Sequence, residues 1–275
     1  MALNRGYAYT LHIGPAEAGR PLADVLAARH AHSPPDVWRT RAAQGELAID
    51  DRPAHGDEVL RAGQRVVWHR PAWDEPDVPL TFDVVHEDAD LVVVSKPAGL
   101  PTMPAGGFLE HTLYALLRRR YGRASPAHRL GRHTSGLVLC TRTRAAAAAV
   151  AAAWREQRVT KRCRALVSGV PAWARTEITT AIGPVAHARL GTVFAAVTAG
   201  RRAHSVARVV ERRETTALVD VRITTGRPHQ IRIHLAAAGH PLAGDPCTRR
   251  VDGPRRRRPR CRATAATSST PASSC

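Results

Sequence analysis

The stretch His128-Arg129-Leu130-Gly131-Arg132-His133-Thr134-Ser135-Gly136 places two arginines and two histidines directly ahead of the apolar run Leu137-Val138-Leu139. It reads as a basic loop that bends at Thr-Ser-Gly, where glycine supplies the backbone freedom, and enters a core strand. Such a loop can hold an anion at the mouth of a sheet. A second stretch, Gly226-Arg227-Pro228-His229-Gln230, leads into Ile231-Arg232-Ile233-His234. Lys96 sits in a Lys-Pro-Ala-Gly loop, and Lys161 and Cys163 alternate along a further strand.

The overall charge agrees with an anionic partner. Lys and Arg number 41 against 23 Asp and Glu, for a formal +18 over 275 residues. Eight arginines and one acid between Arg249 and Arg262 account for +7, which leaves +11 elsewhere. A basic body as well as a basic tail points to a polyanion, because neutralising phosphates releases counterions. Nucleic acid is therefore the expected partner, and no helix-turn-helix or zinc-finger pattern speaks for DNA.

The five cysteines (Cys140, Cys163, Cys247, Cys261, Cys275) are odd in number and contain no CxxC pair. They argue against a disulfide framework or a zinc site and suit a reducing cytosol. The N-terminus lacks the apolar run of a signal peptide, and no stretch is long and apolar enough for a membrane span. A soluble, cytoplasmic, metal-free protein is expected.

These elements must position the basic loops. Pro21 to Ala28 and Asp36 to Ala43 have helical periodicity, and strands follow at Gly45 to Asp50 and Val59 to Trp68. Pro71 to Pro79 is proline-rich and acidic, as a linker would be. Strands are expected at 80–88, 91–100 (ending in the Pro-Gly loop), 137–140, 159–169 and 216–224, with helices at 112–121, 145–154 and 231–238. Residues 176–213 alternate loosely and suggest a hairpin insertion.

Ser95-Lys96-Pro97-Ala98-Gly99-Leu100, the loop His128 to Leu137, Ala165-Leu166-Val167-Ser168-Gly169 and Thr225 to Asp245 (TGRPHQIRIHLAAAGHPLAGD) occur in this order. Together they resemble the motifs of the RluA-type pseudouridine synthases. The helix-helix-strand-turn-strand order ahead of them resembles the S4 RNA-binding module. Its hairpin Gly45-Glu46-Leu47-Ala48-Ile49-Asp50-Asp51 is more acidic than that pattern, and Pro34-Pro35 interrupts the usual basic helix start.

The resemblance implies an α+β fold: a mixed, largely antiparallel central sheet with flanking helices, plus a small α/β S4-like domain. The implied division is an S4-like module at 1–70, a linker at 71–79, a catalytic domain at 80–246, and a basic, disordered tail at 247–275. It implies RNA (rRNA or tRNA) as substrate, isomerisation of uridine to pseudouridine, no cofactor, and a monomer. In that chemistry a carboxylate acts as nucleophile or base, and the target base is taken out of its stack into a pocket. An arginine of the GRxHQIR loop, here Arg227, pairs with the carboxylate. The strand lysine is Lys161. The residues expected to meet RNA are His128, Arg129, Arg132, Lys96, His229, Gln230 and Arg232.

Two positions depart from the family pattern. The motif H-R-L-D-R has Gly131 where the aspartate belongs, and the base-stacking tyrosine position is Cys163. Deleting a nucleophile in a well-studied hydrolase costs on the order of 10^6 in turnover. Asp245, Asp88, Asp90, Glu110 and the Cys163 thiol are the candidates to stand in. Two functions therefore remain open: an isomerase with a modified site, and a silent RNA-binding protein that keeps the fold, such as a ribosome or tRNA assembly factor. From Cys247 onward no segment can fill a core, which fits either a disordered RNA-binding tail or a reading-frame change.

Overall fold

A computed structural model describes residues 2–30, 32–187 and 191–245. The expectation of a disordered basic tail at 247–275 falls outside the described residues. The chain divides into two units: residues 1–77 with 107–110, and residues 78–106 with 111–275.

In the first unit, β1 (Ala2–Leu3) pairs with β6 (Asp74–Glu75). Strands β2 (Tyr7–His12), β5 (Arg65–Arg70), β3 (Leu47–Ile49) and β4 (Arg52–Pro53) form one antiparallel sheet in that order. Helices α1 (Leu22–Arg29) and α2 (Pro35–Ala43) bury Leu22, Val25, Leu26 and Trp38 in its core. Pro35 opens α2 at its first turn, where a missing N–H costs nothing and φ is already helical. The two prolines therefore start this helix instead of blocking it. The acidic hairpin has its own logic: Asp50 and Asp51 sit at φ 48 and 65, the double left-handed turn that matches strand twist. The stretch 71–79 is not simply a linker, since it contains β6. Buried Glu75 accepts from Asn4 Nδ2 at 2.8 Å and from the backbone of Leu109 and Glu110 at 2.9 Å.

The second unit begins with β7 (Asp83–Glu87), β8 (Leu91–Lys96), β9 (Ser125–Pro126) and β10 (Gly136–Thr141), in the sheet order β7-β8-β10-β9. Helix α3 (Leu113–Tyr121) is capped by the Thr112 hydroxyl, which accepts from Ala115 N. It buries Leu113 and Leu117 against Val92, Val94 and Val138, at roughly 1.5–3 kcal/mol per leucine. Helix α4 (Arg144–Arg155) follows.

A second antiparallel sheet has the order β11-β16-β15-β12: Lys161–Ser168, Thr216–Ile223, Ser205–Arg212 and Arg175–Ile178. Between β12 and β15 lies the hairpin of β13 (Ile182–His187) and β14 (Gly191–Ala196). Helix α5 (Gln230–Ala237) buries Leu235 with Ala165, Val167, Val219 and Val221. The result is an α+β architecture. Largely antiparallel pairing is as expected, and among the described residues of the second unit the strands divide between two four-stranded sheets and the β13-β14 hairpin instead of one central sheet.

Candidate active site

The loop between β16 and α5 is held by one side chain. Gln230 is buried, and its Oε1 accepts from Thr225 Oγ1 at 2.8 Å and from Arg227 N at 3.0 Å. Its Nε2 donates to His204 O at 2.9 Å and Ser205 Oγ at 3.0 Å. All four hydrogen-bonding capacities of the amide are thus used. Next to it His229 occupies a left-handed conformation, φ 54, that a non-glycine residue adopts only when its surroundings dictate it. One turn further, buried His234 meets Ser205 Oγ at 2.8 Å through Nδ1 and the Thr180 carbonyl at 2.9 Å through Nε2. The carbonyl can only accept, so Nε2 carries a proton. Burial pushes the pKa of His234 down.

Arg227 is half-buried, and its Nε donates to the Arg202 carbonyl at 3.0 Å. With Ile182, Gly183, Phe194, Gly200 and Pro228 it lines a cleft of about 250 Å³. Gly200 is required here: a Cβ would lie 2.6 Å from the Ile182 carbonyl carbon.

Lys161, at the start of β11, links this loop to the first basic stretch. Its Nζ lies 3.5 Å from where a Cβ on Gly226 would stand, and 5.4 Å from the Trp154 ring centroid. The other neighbour of Trp154 is His128, ring to ring at 5.2 Å. His128 Nε2 accepts from Leu139 N at 3.1 Å, so that nitrogen is unprotonated. Burial lowers the pKa of both His128 and Lys161, and the lysine charge lowers His128 further. Arg129 reaches the field of His229: burial, then Arg232, then Arg129 disfavour the imidazolium there, while Asp245 favours it.

Gly131 stands exposed in a turn closed by Thr134 N donating to its carbonyl at 3.1 Å. Its φ is not in the left-handed region, and an added Cβ would meet only Thr134 Oγ1, at 3.4 Å. Neither backbone nor neighbours demand glycine here. What the position lacks is a carboxylate.

Several residues expected to meet RNA are committed to the fold instead. Lys96 is fully buried and its ammonium donates to the carbonyls of Leu100 at 2.7 Å, Pro97 at 2.8 Å and Arg132 at 3.3 Å. Burial lowers its pKa to about 8. It ties two loops together and offers no face to a polyanion. Gln230 is spent on the brace and His128 on the Leu139 amide. Arg232 grips Asp245 with a two-pronged ion pair. Arg132 reaches the Gly99 carbonyl with Nε at 3.2 Å, yet it remains exposed, as do Arg129 and His229.

The stand-in carboxylates are occupied too. Asp245 belongs to Arg232. Asp88 accepts from the amides of Asp90 and Leu91 and from His86, which lowers its pKa to about 2. Asp90 accepts from Thr143 Oγ1 at 2.6 Å, and Glu110 from Arg5 N at 3.2 Å. Cys163 is half-buried on β11, two residues on from Lys161 and on the same face of the strand. Trp154 escaped the sequence reading; its one signal was an aromatic ring closing an otherwise alanine-rich helix. Among the described residues no group of three His, Cys, Asp or Glu can hold a metal, and no helix is long and apolar enough to cross a membrane.

Comparison with known proteins gives the arrangement its context. The family model described as RNA pseudouridylate synthase matches residues 90–237. An uncharacterized RNA pseudouridine synthase of Synechocystis is 38% identical over 82% of this chain and 78% of its own length. RNA pseudouridine synthase 5 of Oryza sativa is 35% identical over 88% of this chain and 71% of its own. Among solved structures, human RNA pseudouridylate synthase domain containing 1 superposes with TM-score 0.54 at 27% identity, over 65% of this chain and 74% of that one. With its α+β fold, its braced GRPHQIR loop and a family match over more than half its length, this chain belongs to the RNA pseudouridylate synthase family of isomerases.

Proposed function

We propose that the protein isomerises uridine to pseudouridine in rRNA or tRNA, with the target base entering the cleft beside Arg227. The observation that carries this reading is the Gln230 brace, which spends four hydrogen bonds to hold the backbone of Arg227 and the helix start in one geometry. Such preorganisation is what a site that must take up a flipped nucleotide requires. Lys161, lodged against Gly226 with a pKa lowered by burial, supplies a cation at the same loop. Arg129 and His229 are exposed beside this loop and supply donors for flanking phosphates.

The helix-helix-hairpin order of residues 1–70 supports an S4-like module. Its charge assigns it a minor share of RNA affinity, since residues 1–77 carry nine arginines against eleven carboxylates. A monomer acting in the cytoplasm without metal or cofactor completes the reading.

Gly131 favours a second reading, a silent RNA-binding member that keeps the fold. Pseudouridine formation on total RNA separates the two, using the natural protein, Gly131→Asp and Arg227→Ala. Product from the natural protein that Arg227→Ala abolishes supports the isomerase. Product from Gly131→Asp alone supports the silent binder. No product from any of the three refutes the isomerase.

A further inference from the structure

The sheet β11-β16-β15-β12 has one face packed under α5, built from Ala165, Val167, Val219, Val221 and Ala207. Strand alternation sends the residues between them to the other face. There Arg162 stands directly opposite Arg222, and Arg175 directly opposite Arg208. Arg164 faces Asp220, whose other cross-strand neighbour is Arg208. All five arginines are exposed. The face carries three carboxylates: Asp220, engaged by Arg164 at 3.0 Å, Glu177, engaged by Arg175 at 3.2 Å, and Glu211, opposite Leu218 and engaged by Arg213 at 2.8 Å.

Like charges directly opposite on antiparallel strands have Cβ atoms about 4.5–5.5 Å apart and destabilise the pair. Here two such pairs occur in one sheet, and among the described residues no carboxylate pairs with Arg162 or Arg222. A solvated surface gains nothing from that arrangement. A polyanion lying on it relieves both repulsions. The guanidinium fork suits phosphate oxygens, and a row of them along a sheet follows a sugar–phosphate backbone. The partition of charge agrees: residues 78–245 carry 24 basic against 11 acidic side chains, whereas residues 1–77 are net acidic.

We propose that this arginine face is a second RNA surface, one that grips the phosphate backbone flanking the target. It lies on the side of β11 away from Lys161 and Cys163, so it contributes affinity and not chemistry. The proposal rests on RNA being the substrate.

The test compares the full-length protein with two double variants, Arg162→Gln/Arg222→Gln and Arg175→Gln/Arg208→Gln. A mixed-sequence RNA oligonucleotide is titrated at several KCl concentrations. Each lost phosphate contact lowers the slope of log K against log [salt] by about 0.7–0.9. Each double variant is expected to lose one to two slope units and to bind about tenfold more weakly at moderate salt. Melting temperatures without RNA should hold or rise, because repulsion is removed. In the pseudouridine assay KM should rise with turnover unchanged. Unchanged slopes in both folded variants overturn the proposal. So does a loss confined to poly-glutamate or to phosphatidylserine vesicles, which would mark the face as a protein or membrane surface. A natural protein that makes no pseudouridine, yet loses salt slope in both variants, refutes the isomerase and leaves this surface standing.

Discussion

Arg232 and Asp245 close a loop of thirteen residues with two parallel N–H···O contacts, from Nε to Oδ2 and from the second guanidinium nitrogen to Oδ1. The carboxylate is 6% exposed and the guanidinium 30%. The pair pins the Gly-His-Pro-Leu-Ala-Gly-Asp turn back onto α5, the helix that follows the braced loop. An arginine expected to touch RNA and a carboxylate considered as a replacement nucleophile thus neutralise each other.

Breaking this pair takes the carboxylate away from the Arg232 guanidinium. Asp245→Leu is expected to lower stability by about 3 kcal/mol, the low end for buried pairs because Arg232 keeps some water. The double variant Arg232→Met/Asp245→Leu should lose less than either single change. Chemical denaturation of the four proteins as a cycle checks both statements.

Gly131→Asp should fold normally. The backbone needs no glycine there and an added Cβ meets one hydroxyl at ordinary contact distance. The stability change is expected within about 0.5 kcal/mol, as for a surface position. Pseudouridine formation should increase over that of the natural protein. A thermal melt and a product assay on the same preparation read the two effects separately.

The Lys96 ammonium, lowered to about 8 by burial, has a pKa below the ordinary lysine value. Between that pH and the ordinary value the unfolded chain binds the proton more readily than the folded one. Stability contributed by this group therefore rises as pH increases through that window. The Lys96→Met variant should show a flatter alkaline profile, while losing the loop tie to Leu100 and Pro97. Denaturant midpoints from pH 7 to 10, natural against variant, test the slope difference.

At acid pH the sign is set by His128. Its Nε2 accepts the Leu139 amide, so protonation must break that bond, and burial holds its pKa below the ordinary histidine value. The stability it contributes is present above that ordinary value and is lost as pH falls through the folded one. His234 and His229 act in the same direction. His128→Leu should make the acid limb shallower, measured as melting temperature between pH 5 and 7.5. An unaltered limb would remove His128 from this account.

Much of the molecule was legible along the chain. Helices α3 and α5 follow from apolar periodicity, α4 from its alanine run, and strands β11 and β16 from their apolar patterning, whereas β12 and β15 join the sheet from the stretch 176–213 that reads as a hairpin insertion. The ordered motifs around Lys96, His128 and Arg227 pointed to the family, because so many dictated residue types rarely recur in order. The absence of a carboxylate at residue 131 is likewise a fact of sequence. Only the tertiary structure decided which polar side chains are available. Lys96, Gln230, Arg232 and His128 have the residue types of anion binders, yet burial makes an unsatisfied polar group so costly that each is consumed by a carbonyl, hydroxyl, amide or carboxylate of the fold. Exposure, in turn, is set by strand pairing between residues 40 to 60 apart, which brought Arg162 opposite Arg222 and left both facing water. Residue type determined what each group can do, and packing determined which of them is free to do it.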